Sequence, residues 1–132
     1  MGRPLALDLY CRAGGVSEGL RRAGFDVVGV DLLDCSKAFN RGPGSPAHPN
    51  PARFVQADAL EYPLEGFDLI CASPPCQAYT ALRALHQQRE YADLVAPTRA
   101  RLEGSGACRL AVDRADQGQG ARAGLAAPAG VG

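Results

Sequence analysis

Apolar positions come in short runs that end on glycine, proline or an acid. "PLALDLY", residues 4 to 10, is mostly apolar and suits a strand buried on both faces. "CRAGG" follows as a glycine turn. In "VSEGLRRAGF", Val16, Leu20 and Ala23 fall at i, i+4 and i+7, one face of a helix. Gly24 takes the C′ position where glycine ends helices. "DVVGVD", residues 26 to 31, is a second short strand closing on an acid. Strand, glycine turn, helix and strand in about 30 residues make a βαβ unit.

"LLDCSKAFN" reads as a short helix, and the proline-rich "RGPGSPAHPNPA", residues 41 to 52, as an irregular loop. "RFVQAD" is a third strand, ending at Asp58, and "FDLICA" a fourth. In "YTALRALHQQREYADLVAPTRARL" helical spacing returns in parts, with Tyr91, Leu94 and Val95 on one face. Pro97 breaks or restarts that helix. From Gly104 onward the character changes. Seven of the last 29 residues are glycine and eight are alanine, with no aromatic residue and no lysine. No period of 2 or 3.6 persists. Such a segment buries too little apolar surface to offset its ordering entropy, so a disordered or loosely attached tail is expected. The division is therefore 1–102 as a folded α/β unit and 103–132 as a low-complexity tail.

Composition narrows the class. At 132 residues one domain at most is expected, and 46% hydrophobic with 21% charged residues is ordinary for a globular protein. No apolar stretch approaches membrane-spanning length, and Asp8 interrupts the one N-terminal apolar run that a signal peptide would need. A cytoplasmic location is the expectation, with no membrane partner. The five cysteines (Cys11, Cys35, Cys71, Cys76, Cys108) are odd in number and contain no CxxC pair, which argues against a disulfide framework. His48 and His86 are not at zinc-ligand spacing from any cysteine pair, so no metal is expected. Formal net charge is zero. A nucleic-acid-binding domain usually has a basic surplus, so no main gripping surface is evident.

Candidate chemistry gathers where strands end. Gly14-Gly15 at a strand-to-helix turn lets backbone approach a ligand at the helix N-terminus. The same glycines serve tight-turn geometry alone. Asp31 ends the second strand where a carboxylate holds nucleotide ribose hydroxyls, and Asp58 ends the third. Either acid alone reads better as a solvated loop residue. Together they mark the carboxyl edge of a parallel sheet, where open α/β sheets bind ligands. Cys76 lies at that edge too. Pro74 and Pro75 fix φ, remove donors and hold the preceding residues extended. They keep Cys76 on a stiff loop outside regular structure. Cys11, Cys35 and Cys71 read as small core residues. A reactive thiol needs its pKa lowered by cations or a helix N-terminus; Arg83 is one available cation.

"LDLYCRAGGVSEGLRRAGFDVVGVD" and "FDLICASPPCQAYT" resemble the first and fourth motifs of cytosine-C5 DNA methyltransferases, especially the phage and prophage type. The resemblance runs from about Pro4 to Leu102. Families that methylate exocyclic nitrogens have an aromatic residue after the two prolines, where this chain has Cys76. The resemblance implies a Rossmann-like, S-adenosylmethionine-dependent sheet acting on DNA. It implies that the Cys76 thiolate adds to C6 of a flipped-out cytosine, so that C5 takes the methyl group. It puts the methionine part of the cofactor along Asp8, Leu9, Tyr10, Cys11, Ala13, Gly14 and Gly15. The ribose falls at Asp31 and the adenine near Asp58 and Ala59. Pro75 and Gln77 flank the target base.

Two departures stand out. Arg12 occupies a position where most of the family has glycine. After Leu102 there is no Glu-Asn-Val motif, no target-reading domain and no last cofactor helix. The expectation is a truncated sheet, inactive alone, from a gene frameshifted or cut near codons 102 to 108. A shifted frame restoring Glu-Asn-Val would support this, and its absence would refute it. Two other readings stay open: a non-catalytic S-adenosylmethionine-binding or regulatory fragment, and an amino-methyltransferase, which Cys76 argues against. The motifs do not separate DNA from RNA as substrate.

Overall fold

β1 (Leu5–Leu9) is the centre of the molecule, and Ala6, Leu7, Asp8 and Leu9 have at most 1% of their surface exposed. The computed structural model describes residues 2–74, 94–106, 108–112 and 123–126. The chain continues through α1 (Gly15–Arg22), β2 (Asp26–Asp31), α2 (Ser36–Arg41), β3 (Arg53–Gln56) and β4 (Leu69–Ala72). It ends with α3 (Val95–Glu103), β5 (Cys108–Val112) and β6 (Ala123–Ala126). Among the described residues the strands form one sheet in the order β3-β2-β1-β4-β5-β6. All neighbouring pairs are parallel except β5–β6.

The first βαβ unit forms as its sequence pattern predicts. β2 has the expected bounds, and α1 stops at Gly24, which has φ +100. Gly24 N–H donates to the Arg21 carbonyl at 3.1 Å and Phe25 N–H to the Leu20 carbonyl at 3.1 Å. These are the two bonds of a Schellman end, and Leu20 and Phe25 pack in the same cluster beside it.

The buried face of α1 is not the one the apolar spacing picks out. Ala23 is exposed, Val16 and Leu20 are half-buried, and the fully inward residues are Ser17 and Arg21. Polar residues point inward because polar partners wait there. Ser17 reaches the buried Asp8 carboxylate. Arg21 is held by Glu18, with Nε–Oε2 at 3.0 Å and Nη2–Oε1 at 2.7 Å, and by Asn50. Asn50 Nδ2 also donates to the Arg21 and Phe25 carbonyls, which ties the loop 41–52 to the end of α1. That loop is irregular, as its prolines require.

Two apolar clusters cover the two faces of the sheet. Leu7, Leu9, Val30, Ile70 and Ala72 meet Ala59 and Leu102 of α3 on one face. Ala6, Cys11, Val27 and Ala52 meet Phe39 of α2 on the other. Phe39 is fully buried and its ring lies 5.5 Å from that of Phe54, tilted by 53°. Pro97 occupies the first turn of α3, close to where that helix starts. Its missing N–H is one that no helical carbonyl would accept. Tyr91 lies outside the described residues.

Two stretches of the segment without periodicity join the sheet. β5 pairs with β4 from Leu69–Cys108 to Ala72–Ala111, and β6 pairs back on β5. Pairing satisfies the backbone groups along the open edge of β4, which needs no alternation of side chains. The rest of 113–132 lies outside the described residues.

Candidate functional site

The strand order reverses at β1, with β2 and β3 on one side and β4 and β5 on the other. Open α/β sheets bind ligands in the crevice at such a reversal, outside the carboxyl ends of the strands. Here the chain leaves β1 through Tyr10 to Gly14. It leaves β4 through Ser73 and Pro74, and Ser73 N–H donates to the Leu9 carbonyl at 3.2 Å. The two exits are therefore side by side. Cys76, Pro75 and Gln77 follow Pro74 in the sequence and lie outside the described residues.

The turn after β1 is conformationally unusual. Tyr10 has φ 60 and Arg12 has φ 49, both in the left-handed region that favours glycine. The turn is held by Cys11 N–H to the Val30 carbonyl at 3.1 Å and Gly14 N–H to the Cys11 carbonyl at 2.9 Å. Gly14, at φ +95, is fixed by packing as well. A Cβ there would lie 2.5 Å from Pro43 and 2.9 Å from the Phe39 ring. At Gly15 a Cβ would meet nothing within 4 Å, and Ala13 is exposed, so this side of the turn faces open space.

Asp31 is 7% exposed and knits two loops together. Its Oδ2 accepts from Arg12 N–H at 2.9 Å and its Oδ1 from Leu33 N–H at 3.0 Å. A carboxylate has about four lone-pair sites, and two backbone bonds occupy half of them. Beside it Leu32 and Leu33 are 66% and 69% exposed, the two large hydrophobic residues left uncovered among the described residues. Their signal in the sequence is two leucines between Asp31 and Asp34, where a polar loop would be ordinary.

Asp58 and Ala59 lie at the adjacent loop, after β3. Asp58 Oδ1 accepts from Leu60 N–H at 2.9 Å, and the Asp58 carbonyl from Glu61 and Tyr62 N–H. Ala59 is buried, with 4% of its surface exposed. Arg101 of α3 donates to the Ala59 carbonyl at 2.7 Å and the Tyr62 carbonyl at 2.8 Å. Tyr10 Oη and Thr98 Oγ1 share a hydrogen bond of 2.7 Å. Thr98 and Arg101 carry no local signature, and sequence reasoning missed both.

Asp8 and Leu9 lie below the turn. Leu9 is core, and its carbonyl takes the Ser73 bond. Asp8 receives Ser17 Oγ–H at Oδ2, 2.6 Å away, while its Oδ1 is buried without a partner. Burial pushes its carboxyl up to about 6, with Asp31 adding to the rise and two bonds from Ser17 opposing it. Cys11 and Cys71 are buried, as expected for core cysteines. Burial pushes the Cys11 thiol up, and Asp8 and Asp31 push it further, so it is not a thiolate near neutrality. Cys35 departs from the core reading. It precedes α2, is partly exposed, and its thiol is also pushed up, first by burial and then by Asp31 and Asp34.

No family model matches the chain. The chain is 31% identical over 77 residues to the Type II methyltransferase M.AplI of Arthrospira platensis. That match covers 58% of this chain and 21% of the relative, so the chain spans about a fifth of its length. Among solved structures it resembles a Pyrococcus abyssi tRNA (uracil-54, C5)-methyltransferase, in complex with S-adenosyl-L-homocysteine. The TM-score is 0.56 and the identity 22%, over 82% of this chain and 24% of that one. A Salinibacter ruber RNA methyltransferase, also with S-adenosyl-L-homocysteine, matches with TM-score 0.56 and 15% identity, over 83% and 65%. Magnesium protoporphyrin IX methyltransferase from Synechocystis, with bound S-adenosylmethionine, gives 0.52 and 20%, over 86% and 62%. The chain has the Rossmann-like fold of S-adenosylmethionine-dependent methyltransferases. These structures act on different substrates, so the fold does not select one. Among the described residues no helix is long and apolar enough to cross a membrane, and no group of three acids, histidines or cysteines is arranged for a metal.

Proposed function

We propose that this chain is the S-adenosylmethionine-binding, nucleophile-bearing part of a cytosine-C5 DNA methyltransferase. The observation that carries the reading is the adjacency of two exits. The turn from Tyr10 to Gly15 and the strand that runs into Ser73-Pro74-Pro75-Cys76 leave the sheet side by side at its order reversal. Similarity to a Type II methyltransferase supports it.

The residues present fit the cofactor. The turn exposes backbone at Ala13 and Gly15, Asp31 offers a buried carboxylate to ribose hydroxyls, and Leu32 and Leu33 offer apolar surface beside it. Asp58 and Ala59 lie at the next loop for the adenine, and Asp8 to Cys11 underlie the methionine part. S-adenosylmethionine supplies an electrophilic methyl group when bound. The Cys76 thiolate adds to C6 of cytosine and makes C5 nucleophilic. Once C5 has taken that methyl group, loss of the C5 proton to solvent would re-form the C5–C6 double bond and expel the thiolate. Pro75 and Gln77 stand beside it in sequence to hold the base, which must leave the duplex to be reached.

A second reading is a chain that binds the cofactor without catalysis, favoured by the lack of a Glu-Asn-Val pattern within residues 103–132. Calorimetry with S-adenosylhomocysteine tests the cofactor half, and absence of binding overturns it. Transfer of label from S-adenosylmethionine to DNA, with methylated nucleosides resolved, tests the chemistry. Label in 5-methylcytosine that disappears in Cys76→Ser supports the assignment. Label in N4-methylcytosine or N6-methyladenine overturns it. Binding without transfer supports the second reading.

A further inference from the structure

α3 touches the site from outside the motifs. Thr98 and Leu102 are each 3% exposed, and Leu102 packs in the core cluster, so the helix is anchored on the sheet. Arg101, between them, is half-buried and turns its guanidinium to the loop after β3. One arm meets the Ala59 carbonyl at 2.7 Å and the other the Tyr62 carbonyl at 2.8 Å. Asp58 closes the same turn from inside, through Leu60 N–H to its carboxylate and through Glu61 and Tyr62 N–H to its carbonyl. Arg101 thus holds the residue after Asp58 and the last residue of the turn that Asp58 opens. A planar fork of donors fixes two acceptors in relative position as a lysine ammonium does not. Tyr10 belongs to the same cluster. Its phenol is pushed up first by burial and then by Asp58, while its Thr98 bond and Arg101 oppose the rise.

We propose that Arg101 is a positioning residue that aims the Asp58 carboxylate at a purine and so sets selectivity for adenine over a 6-oxopurine. This rests on the cofactor reading above. An adenine presents an amino donor to a carboxylate, whereas hypoxanthine presents an oxygen that a carboxylate repels. Aim matters here because the selecting group sits on a turn and not on a strand. The turn keeps its place through contacts 39 and 42 residues away in the chain.

The test measures two dissociation constants, for S-adenosylhomocysteine and S-inosylhomocysteine, on the full chain and on Arg101→Met and Arg101→Lys. The parent chain is expected to prefer the adenine ligand by about tenfold, the effect of one well-placed hydrogen bond. In Arg101→Met the ratio falls toward one, and in Arg101→Lys it lies between. A purely structural role weakens both ligands alike and leaves the ratio unchanged, which overturns the proposal. Should Arg101→Met fail to fold, the ratio in Arg101→Lys decides. If the parent binds neither ligand, the cofactor reading fails and this inference with it. If the parent binds both equally, the inference alone fails.

Discussion

Ser17 Oγ donates to Asp8 Oδ2 at 2.6 Å inside the sheet–helix interface, and both residues are at most 1% exposed. A buried acid thus anchors the N-terminal turn of α1, where partial positive charge favours it. Burial outweighs that help and raises its pKa from 3.8 to about 6. Because the folded value is raised, the folded state holds the proton more tightly than the unfolded chain. Asp8 therefore contributes less stability as pH rises from about 4 through 6, and the loss persists above. The loss is on the order of 3 kcal/mol. Asp8→Asn, which carries no charge, is expected to be more stable than the parent at pH 8 and to lose the slope between pH 4 and 6. Ser17→Ala removes a group that favours the charged form and moves the window upward. Urea midpoints across that range check both.

Gly29 of β2 has Phe39 over it. A Cβ at Gly29 would lie 2.7 Å from Phe39 Cε2, 2.9 Å from Cζ and 3.0 Å from Cys11 Sγ. The ring also abuts Gly14 and Phe54, so it has no room to retreat. Gly29→Ala is expected to cost about 1–3 kcal/mol through overpacking. Phe39→Leu introduced with it should recover part of that cost, although Phe39→Leu alone destabilises. Non-additivity of the two changes in urea unfolding is the check. Additive costs would mean that the contact is not what excludes a side chain.

The parts of this molecule that sequence makes legible are those whose signal is local. β1, β2 and the Gly24 helix stop are written in runs of a few residues, and so is Asp31 at a strand end. The inward face of α1 is not, since apolar spacing favours Val16 and Leu20. Ser17 and Arg21 are buried because Asp8 and Asn50 stand where α1 lands, while Glu18, one turn earlier on the same helix, holds the Arg21 guanidinium. Thr98 and Arg101 serve residues 88 and about 40 positions away, and no periodicity encodes that. β5 and β6 form on a strand edge, which a Gly/Ala-rich chain joins through its backbone. The expectation for Cys76 rests on its prolines and the family resemblance, and the residue lies outside the described structure.

Arg12 sits at φ 49, a conformation that costs an ordinary L-residue roughly 1–2 kcal/mol relative to glycine. Its N–H bond to Asp31 is a backbone bond and survives any substitution except proline. Arg12→Gly is therefore expected to raise stability by about 0.5–1 kcal/mol, after the greater freedom of glycine in the unfolded chain is set against the relieved strain. Thermal or urea unfolding at neutral pH reads this directly. A less stable variant would mean that the guanidinium makes a contact worth more than the strain.

Asp31 has two roles that one substitution can separate. Its carboxylate ties Arg12 N–H and Leu33 N–H together, and the proposed ribose uses the lone pairs left over. Asp31→Asn keeps one carbonyl oxygen and turns the other acceptor into a donor facing an N–H. That leaves one backbone donor unpaired at a site 7% exposed, which costs about 1–3 kcal/mol of stability. If the carboxylate also receives ribose hydroxyls, affinity for S-adenosylhomocysteine falls by a further factor of about ten or more, since bonds to a charged acceptor are roughly twice as strong as neutral ones. Calorimetry well below the unfolding midpoint, on folded variant, isolates the binding effect from the stability effect. A variant that is less stable yet binds as tightly as the parent would leave Asp31 as a loop tie and remove it from the ribose site.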